Sequence, residues 1–290
     1  MKEGKRNLLQ AFAALLTNAH LTGFASGRIW QGKSKQVCVP GLNCYSCPGA
    51  LGACPIGSLQ AILSGGRRNV SYYVTGMLLL FGAAFGRLIC GFLCPFGFVQ
   101  DLLYKIKSKK VVVPRRLDRP LRKGKYVVLV LLVILLPTLA RGAYGVGTPW
   151  FCKYLCPAGT LEGGIPLLLR NPGLRDSVGL LFSWKLAILL AVLAGSVLIY
   201  RPFCKYLCPL GAIYGLFNRV SFYRMEVDAS KCTRCGACTR ACKMGVEVTR
   251  DINSSECIRC GACKAACPHG AVSSGFGVRP RAEGNAAPGK

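Results

Sequence analysis

Acidic residues are scarce in this 290-residue chain: 11 Asp and Glu stand against 38 Lys and Arg, for a formal net charge of +27. Histidine is scarcer still, at two. No paired carboxylates and no nucleophile–base set suggest bond-making catalysis. His20 and His269 each read as a packing or surface histidine. They cannot make a bis-histidine haem site, because His20 has no second intramembrane histidine to face it. No C-x-x-C-H sequence offers covalent haem attachment. A P-loop, a dinucleotide fingerprint and a flavin site are all missing. Glu162, followed by Gly163 and Gly164 on the outer side, reads as a solvated loop acid in preference to a proton or metal group.

Cysteine is abundant, with 18 residues. Eight fall in two runs near the C-terminus. Cys232, Cys235, Cys238 and Cys242 have C-x2-C-x2-C-x3-C spacing, and Cys257, Cys260, Cys263 and Cys267 repeat it before Pro268. A [4Fe–4S] cube offers four irons, each completed by one soft thiolate. Cysteines two residues apart let one tight loop cap three corners, while the fourth reaches away. Gly236 and Gly261 let the backbone turn close to the cluster. Zinc also binds C-x2-C pairs, but its knuckles separate two pairs by a longer spacer, and the doubled triple run fits iron–sulfur better. Lys243 stands where the second run has Pro268.

Residues 225–272 resemble a bacterial-type two-cluster ferredoxin. That resemblance implies that the fourth cysteine of each run serves the other cube. One cluster then takes Cys232, Cys235, Cys238 and Cys267, and the other takes Cys257, Cys260, Cys263 and Cys242. Such a module handles single electrons.

The remainder is apolar. Hydrophobic residues make up 52% of the chain, and mean hydropathy is +0.38. Residues 7–27 carry no charge, 69–100 only Arg87, 126–140 none, and 177–200 only Lys185. Each approaches the ~20 apolar residues that span a bilayer, so the composition predicts four transmembrane helices. Arg87 and Lys185 are expected to snorkel from span ends. The basic start of the first span (Lys2, Lys5, Arg6) is compatible with a signal peptide, but its length and the lack of an A-x-A site favour an uncleaved span.

The basic excess follows the positive-inside rule and does not point to nucleic acid. Ten Lys and Arg lie in 101–125, five in 28–68 and four in 141–176. An even number of spans puts both termini, the basic middle loop and the ferredoxin module on the cytoplasmic side of the cell membrane. The thiol-rich, non-disulfide composition suits a reducing compartment there.

Ten further cysteines carry an internal repeat. Cys54, Cys94, Cys156 and Cys208 each begin a C-P-x-G string, and Cys90, Cys152 and Cys204 lie four residues before the last three. Cys38, Cys44 and Cys47 precede the first. The chain therefore reads as two similar halves. Residues i and i+4 share a helix face, so both sulfurs of C-x3-C can approach one centre. The proline suits the first turn of the next helix, and Gly97, Gly159 and Gly211 are expected to relax a bend. Helices after Cys94 and Cys208 are amphipathic and expected in the headgroup layer. The topology groups Cys90, Cys94, Cys204 and Cys208 as a junction cluster. Cys38, Cys44, Cys47, Cys54, Cys152 and Cys156 form an outer set able to hold one more. Small apolar packing explains single membrane cysteines, but not five C-P junctions.

Span ends with C-x3-C-P and a C-terminal two-cluster ferredoxin resemble the NapH-type polyferredoxins and the membrane part of NosR-like proteins. The likeness is carried by Cys90-Gly91-Phe92-Leu93-Cys94-Pro95, Cys204-Lys205-Tyr206-Leu207-Cys208-Pro209 and the ferredoxin runs. NosR-like proteins add a flavin domain, which is absent here. The Cys38–Cys47 loop and the Cys152/Cys156 pair go beyond the simple NapH pattern.

The expected architecture is thus an α-helical membrane protein of four transmembrane helices over 1–224. A C-terminal α+β two-[4Fe–4S] ferredoxin-like domain follows over 225–274, then a disordered tail over 275–290. The expected function is iron–sulfur electron transfer between a cytoplasmic donor and a membrane or extracytoplasmic partner. The partner would be an oxidoreductase, ferredoxin or flavodoxin. Two [4Fe–4S] clusters are expected, with one or two more in the membrane part. Two alternatives remain: a factor that matures or reduces a metal centre, and a thiol-based redox sensor.

Overall fold

A computed structural model describes residues 3–65, 71–142, 145–176 and 178–277. The four-span expectation is corrected by it. Among the described residues one helix, Leu180–Leu198, is long and apolar enough to cross a bilayer, with mean hydropathy 2.1.

The other three apolar stretches fall short for local reasons. Residues 7–27 divide into Glu3–Thr17 and Leu21–Ser26, because the Thr17 hydroxyl and Asn18 amide turn back onto the Ala13 and Ala14 carbonyls and close the first helix. Residues 69–100 contain the helix Tyr72–Phe85, stopped by Gly86 at φ +52°. A Cβ on Gly86 would stand 2.5 Å from Asn218 Oδ1, so only glycine suits both the turn and the contact. The short helix Leu88–Phe92 and then Pro95–Tyr104 follow. The third stretch continues a helix, Arg115–Val128, whose first half is charged. It passes through wide π turns at Leu129–Leu135 and ends in Leu136–Leu139. Its apolar portion, 126–139, reaches about 21 Å against the ~30 Å of a hydrocarbon core.

Cysteine-bearing elements meet in one buried core. Phe96 packs edge-to-face on Phe203 at 5.3 Å, surrounded by the buried side chains of Ile56, Ile89, Leu210 and Tyr214. Proline opens Pro55–Ser64, Pro95–Tyr104 and Pro209–Phe217, where its missing N–H costs nothing. The helix Pro95–Tyr104 does not present a free charged face. Its Asp101 is buried, gripped by Arg201 Nε and Nη2 at 2.7 and 2.6 Å and by Arg6 at 2.9 Å.

The C-terminal region pairs the strand Tyr223–Val227 antiparallel with Val272–Phe276, in the register Tyr223↔Phe276. Short helices Ala237–Arg240 and Ala262–Ala266 each follow a left-handed glycine. Gly275 and Phe276, expected in the tail, belong to the second strand; the tail from 278 onward lies outside the described residues.

This region is locked to the rest of the chain. Arg87, expected to snorkel, is fully buried instead. It donates to Ser255 O at 2.7 Å, Glu256 Oε2 at 3.0 Å and Cys204 O at 3.0 Å. Lys125 bonds the other Glu256 oxygen. Burial alone would raise the Glu256 carboxyl; Arg87 and Lys125 together hold it below its usual range. Lys243, in the place of a proline, pairs with Glu3 at 2.8 Å. Replacing Glu256 with Gln leaves two buried cations without a counter-charge. We expect a loss of about 3–5 kcal/mol, read as a lower guanidinium denaturation midpoint; an unchanged midpoint would refute the lock.

Candidate functional site

The sixteen cysteines expected in the two ferredoxin runs, the junction set and four of the outer positions gather in four groups. A cavity of about 290 Å³ is lined by Cys242, Cys257, Cys260 and Cys263, together with Met225, Met244, Val246 and Ile258. A smaller pocket of about 20 Å³ is lined by Cys232, Cys235, Cys238 and Cys267. Each pocket draws three cysteines from one run and the fourth from the other. Arg234 and Arg259 adopt positive φ, +55° and +53°, inside the two loops. Backbone amides of Val246 and Ala271 donate to Cys242 and Cys267 sulfurs at 3.4 and 3.3 Å.

The third group is Cys90, Cys94, Cys204 and Cys208, all buried. Burial pushes Cys94, Cys204 and Cys208 up, and Cys90 beside them adds to the rise. The sequence repeat is deeper than C-x3-C-P: Arg87 and Arg201 each stand three residues before the first cysteine. These arginines exchange halves. Arg87 donates to the Cys204 carbonyl, and Arg201 to the Cys90 carbonyl at 2.5 Å. A Cβ on Gly97 or Gly211 would lie 3.2 Å from the opposite arginine. These glycines do not relax a bend. They open a helix, leave room for the guanidinium, and donate N–H to Cys94 and Cys208 sulfur at 3.4 Å.

The fourth group is Cys44, Cys54, Cys152 and Cys156. Burial raises Cys152 to about 11, and Cys44 nearby pushes the same way. Cys54 and Cys156 are raised by burial, then by the thiols around them. A Cβ on Gly159 would lie 3.7 Å from Cys44 Sγ and 3.8 Å from Cys156 Sγ. The other two outer candidates fall outside this group. Cys38 Sγ turns to Ser58 Oγ and Cys47 Sγ to Asn18 Oδ1, both at 3.5 Å.

Two glutamines were missed from sequence. Gln100 Nε2 donates to Cys204 Sγ and Gln60 Nε2 to Cys152 Sγ, each at 3.1 Å. Each sits six residues after a C-P cysteine, so a C-P-[IF]-G-x2-Q repeat was there to be read. Glu162 is no solvated loop acid. Its Oε2 accepts the Cys44 amide at 2.7 Å, and burial lifts its carboxyl to about 8. Lys185, expected to snorkel, donates to the Cys152 carbonyl at 3.2 Å. His20 packs as expected, against Trp30 and the Pro48 carbonyl, and His269 is exposed.

Among the described residues no three His, Cys, Asp or Glu side chains converge tightly enough to share one metal ion. A cubane instead gives each thiolate its own iron, so four thiols around a cavity suit it. The 290 Å³ cavity with four sulfurs and apolar walls fits that group.

The groups are close-coupled. A Cβ on Gly91, between Cys90 and Cys94, would lie 2.4 Å from the Ile258 carbonyl, next to Cys257. Asn218 Nδ2 donates to the Ser254 and Cys257 carbonyls at 2.8 and 2.7 Å. The fully buried Tyr214 feels the thiols of Cys90, Cys94, Cys54 and Cys38 and donates its hydroxyl to Pro40 O at 3.0 Å. We expect Gly91→Ala to push the Cys257 loop off its seat, at a cost of about 1–3 kcal/mol. Faster proteolysis near residues 219–224 checks this; wild-type resistance would contradict it.

Comparisons with known proteins place the chain among iron–sulfur binding families. The 4Fe-4S binding domain family matches residues 52–73, 71–114, 126–174 and 182–225, and the 4Fe-4S dicluster domain family matches 224–268. An uncharacterized protein of Methanocaldococcus jannaschii is 30% identical over 173 residues, covering 58% of this chain and 63% of its own length. The methylamine utilization ferredoxin-type protein MauN of Paracoccus denitrificans is 31% identical over 159 residues, 54% of this chain and 48% of that one. The regulatory protein NosR of Pseudomonas aeruginosa is 26% identical over 59% of this chain and 22% of its own. The matches span from about a fifth to under two thirds of these relatives' lengths. No solved structure matches the chain.

Proposed function

This chain belongs to the 4Fe-4S binding domain family, as a NapH/NosR-like protein of ferredoxin type, and on that premise we propose that it is a membrane-associated electron carrier with four cubanes. One observation carries the reading: two pockets each bring three cysteines of one ferredoxin run to the fourth of the other, and eight further cysteines are packed among one another in the rest of the chain. The ligand sets are Cys232, Cys235, Cys238, Cys267; Cys257, Cys260, Cys263, Cys242; Cys90, Cys94, Cys204, Cys208; and Cys44, Cys54, Cys152, Cys156. Each cube, when bound, stores and releases one electron at a potential tuned by charge, burial and hydrogen bonds to sulfur. The protein supplies the spacing and the tuning.

The residues suit a linear relay. The two ferredoxin runs exchange their fourth cysteines, which keeps the sets adjacent. The Gly91–Ile258 contact brings the Cys257 loop against the Cys90 set, and Tyr214 is coupled electrostatically to Cys90 and Cys94 of that set and to Cys54 of the last. Gln100 and Gln60 place amide donors on sulfur, which favours the reduced, more negative state. Arg87 and Arg201, each paired with a carboxylate, fix the loops of the third set in place.

Membrane association is supported by Leu180–Leu198 and by exposed apolar side chains elsewhere. Leu180 is 91% exposed and Tyr72 87%; Leu8, Phe12, Leu15 and Leu80 are exposed as well. Such a surface calls for an apolar neighbour. We place the ferredoxin module, residues 225–274, on the cytoplasmic side, where thiols stay reduced. The redox partner is an oxidoreductase, ferredoxin or flavodoxin.

The anaerobically purified protein should hold about 16 irons per chain, four per cube. Changing Cys90, Cys94, Cys204 and Cys208 together to Ser should remove about four of them. Iron and sulfide assays with EPR decide the matter; full iron in that variant would sink the third set. Gln100→Leu should keep its iron and lower one potential by roughly 40 mV, the one-electron equivalent of a ~1 kcal/mol hydrogen bond. A redox titration followed by EPR measures this, and an unmoved potential would dismiss the tuning role.

A further inference from the structure

We propose that the loop carrying Arg234 is the port at which an external redox protein docks, and that this partner presents an acidic, acceptor-rich face to it. The proposal rests on the electron-carrier reading above and adds the entry point and the chemistry of the partner.

The argument comes from two loops of one shape with opposite surroundings. Both read C-x-R-C-G-A-C, from Cys232 and from Cys257. Their arginines sit at φ +55° and +53°, their glycines at +73° and +76°. In the second loop Arg259 is 2% exposed and acts as a plug. Its Nη1 donates to the Phe85 carbonyl at 2.8 Å and its Nη2 to the Asn218 carbonyl at 2.7 Å. Phe85 ends the helix Tyr72–Phe85, and Asn218 caps Pro209–Phe217. The guanidinium fork thus engages two helix C-termini, where carbonyls are unpaired and the dipole is negative. That contact seats this loop against the next cysteine group of the same chain.

The first loop has the same fork and no socket. Arg234 is exposed, and among the described residues it makes no hydrogen bond or ion pair. Cys235 beside it is exposed too, whereas Cys260, its counterpart, is partly covered. A left-handed backbone suits glycine and costs an arginine some strain, so the side chain is not what the turn alone requires. Lys231 lines the same pocket as Arg234 and pairs with Asp228 at 3.5 Å. Arg240, exposed, hooks onto the Cys235 carbonyl at 3.1 Å. Arg234, Arg240 and Lys231 outnumber Asp228, so the rim is cationic on balance, and it surrounds the exposed thiol of Cys235. An acidic redox protein complements that charge and can offer Arg234 what Phe85 and Asn218 offer Arg259.

The probe is flavodoxin hydroquinone, an acidic one-electron donor, mixed anaerobically with the oxidised full-length protein in a stopped-flow instrument. One electron leaves the flavin and one is gained by this chain. The wild-type second-order rate should fall as salt rises. Arg234→Glu should be reduced at least ~10-fold more slowly at low salt. Arg234→Gln should fall between the two. The differences should vanish near 1 M salt, where screening acts over ~3 Å. Dithionite, small and not docked, should reduce all three equally. Equal low-salt rates with flavodoxin for wild type and Arg234→Glu would overturn the proposal. Should Arg234→Glu lose iron, Arg234→Gln decides: a wild-type rate and salt dependence overturn the port. A protein that dithionite cannot reduce would instead defeat the electron-carrier reading itself.

Discussion

A thiol gives up its proton only where the resulting charge is compensated, and most thiols in this chain sit where water cannot do so. Burial lifts Cys257 to about 12 and Cys263 to about 11, with the neighbouring cysteines adding to the rise. Four such groups side by side would repel one another as thiolates and stay protonated on their own. Amide donors from Gly97, Gly159 and Gly211 soften the penalty without cancelling it. Iron at the centre of each set would cancel it outright, because a coordinated thiol is deprotonated. In the proposed arrangement the surrounding structure therefore serves one demand, which is to keep four sulfurs together and their charge answered.

That demand explains the traffic between halves. Arg87 belongs to one C-x3-C-P string and holds the carbonyl of the other; Arg201 returns the contact. Neither half carries a complete site, and neither buried guanidinium is satisfied without its partner half. Asp101 closes the second arginine and Glu256 the first, so each positive charge beside the third set is matched within hydrogen-bond reach. A buried ion pair of this kind adds little net stability over an apolar pair, but it punishes separation severely. It fixes position, which a relay needs more than it needs surplus stability.

The chemistry was legible in the sequence and the architecture was less so. Cysteine spacing is a local signal, and the C-x2-C-x2-C-x3-C runs and C-P strings could be read one by one. The grouping Cys90/Cys94/Cys204/Cys208 could be drawn from i, i+4 geometry and the repeat, and the crossed ferredoxin sets from the ferredoxin resemblance; both are the ligand sets proposed above. Which four of the six outer cysteines gather was not readable, since the Cys38–Cys47 loop has no periodicity. Hydropathy misled over three stretches. It counts apolar residues without seeing that Gly86 must turn, that Asn18 closes a helix, or that the helix from Arg115 spends half its length on charge. Arg87 and Lys185 were misread for a related reason: a lone charge in an apolar run was sent to the surface, when buried carbonyls were waiting for it. Gln60 and Gln100 were overlooked because a neutral amide carries no charge signal, although its recurrence six residues after C-P was visible.

The placement of Glu256 shows how these layers combine. It precedes Cys257 directly, and its partner Arg87 stands three residues before Cys90. One carboxylate thus binds the loop of a ferredoxin set to the loop of the third set, and Lys125 brings in the long helix from Arg115. Gly91 removes a Cβ that would hold the two loops apart, and Asn218 fills the seam with hydrogen bonds to both the Ser254 and Cys257 carbonyls. A mobile linker between the two regions would let the separation of the sets fluctuate. Buried charge, a missing methyl group and a paired amide remove that freedom at one point, the point where the proposed relay passes from the ferredoxin region into the rest of the chain.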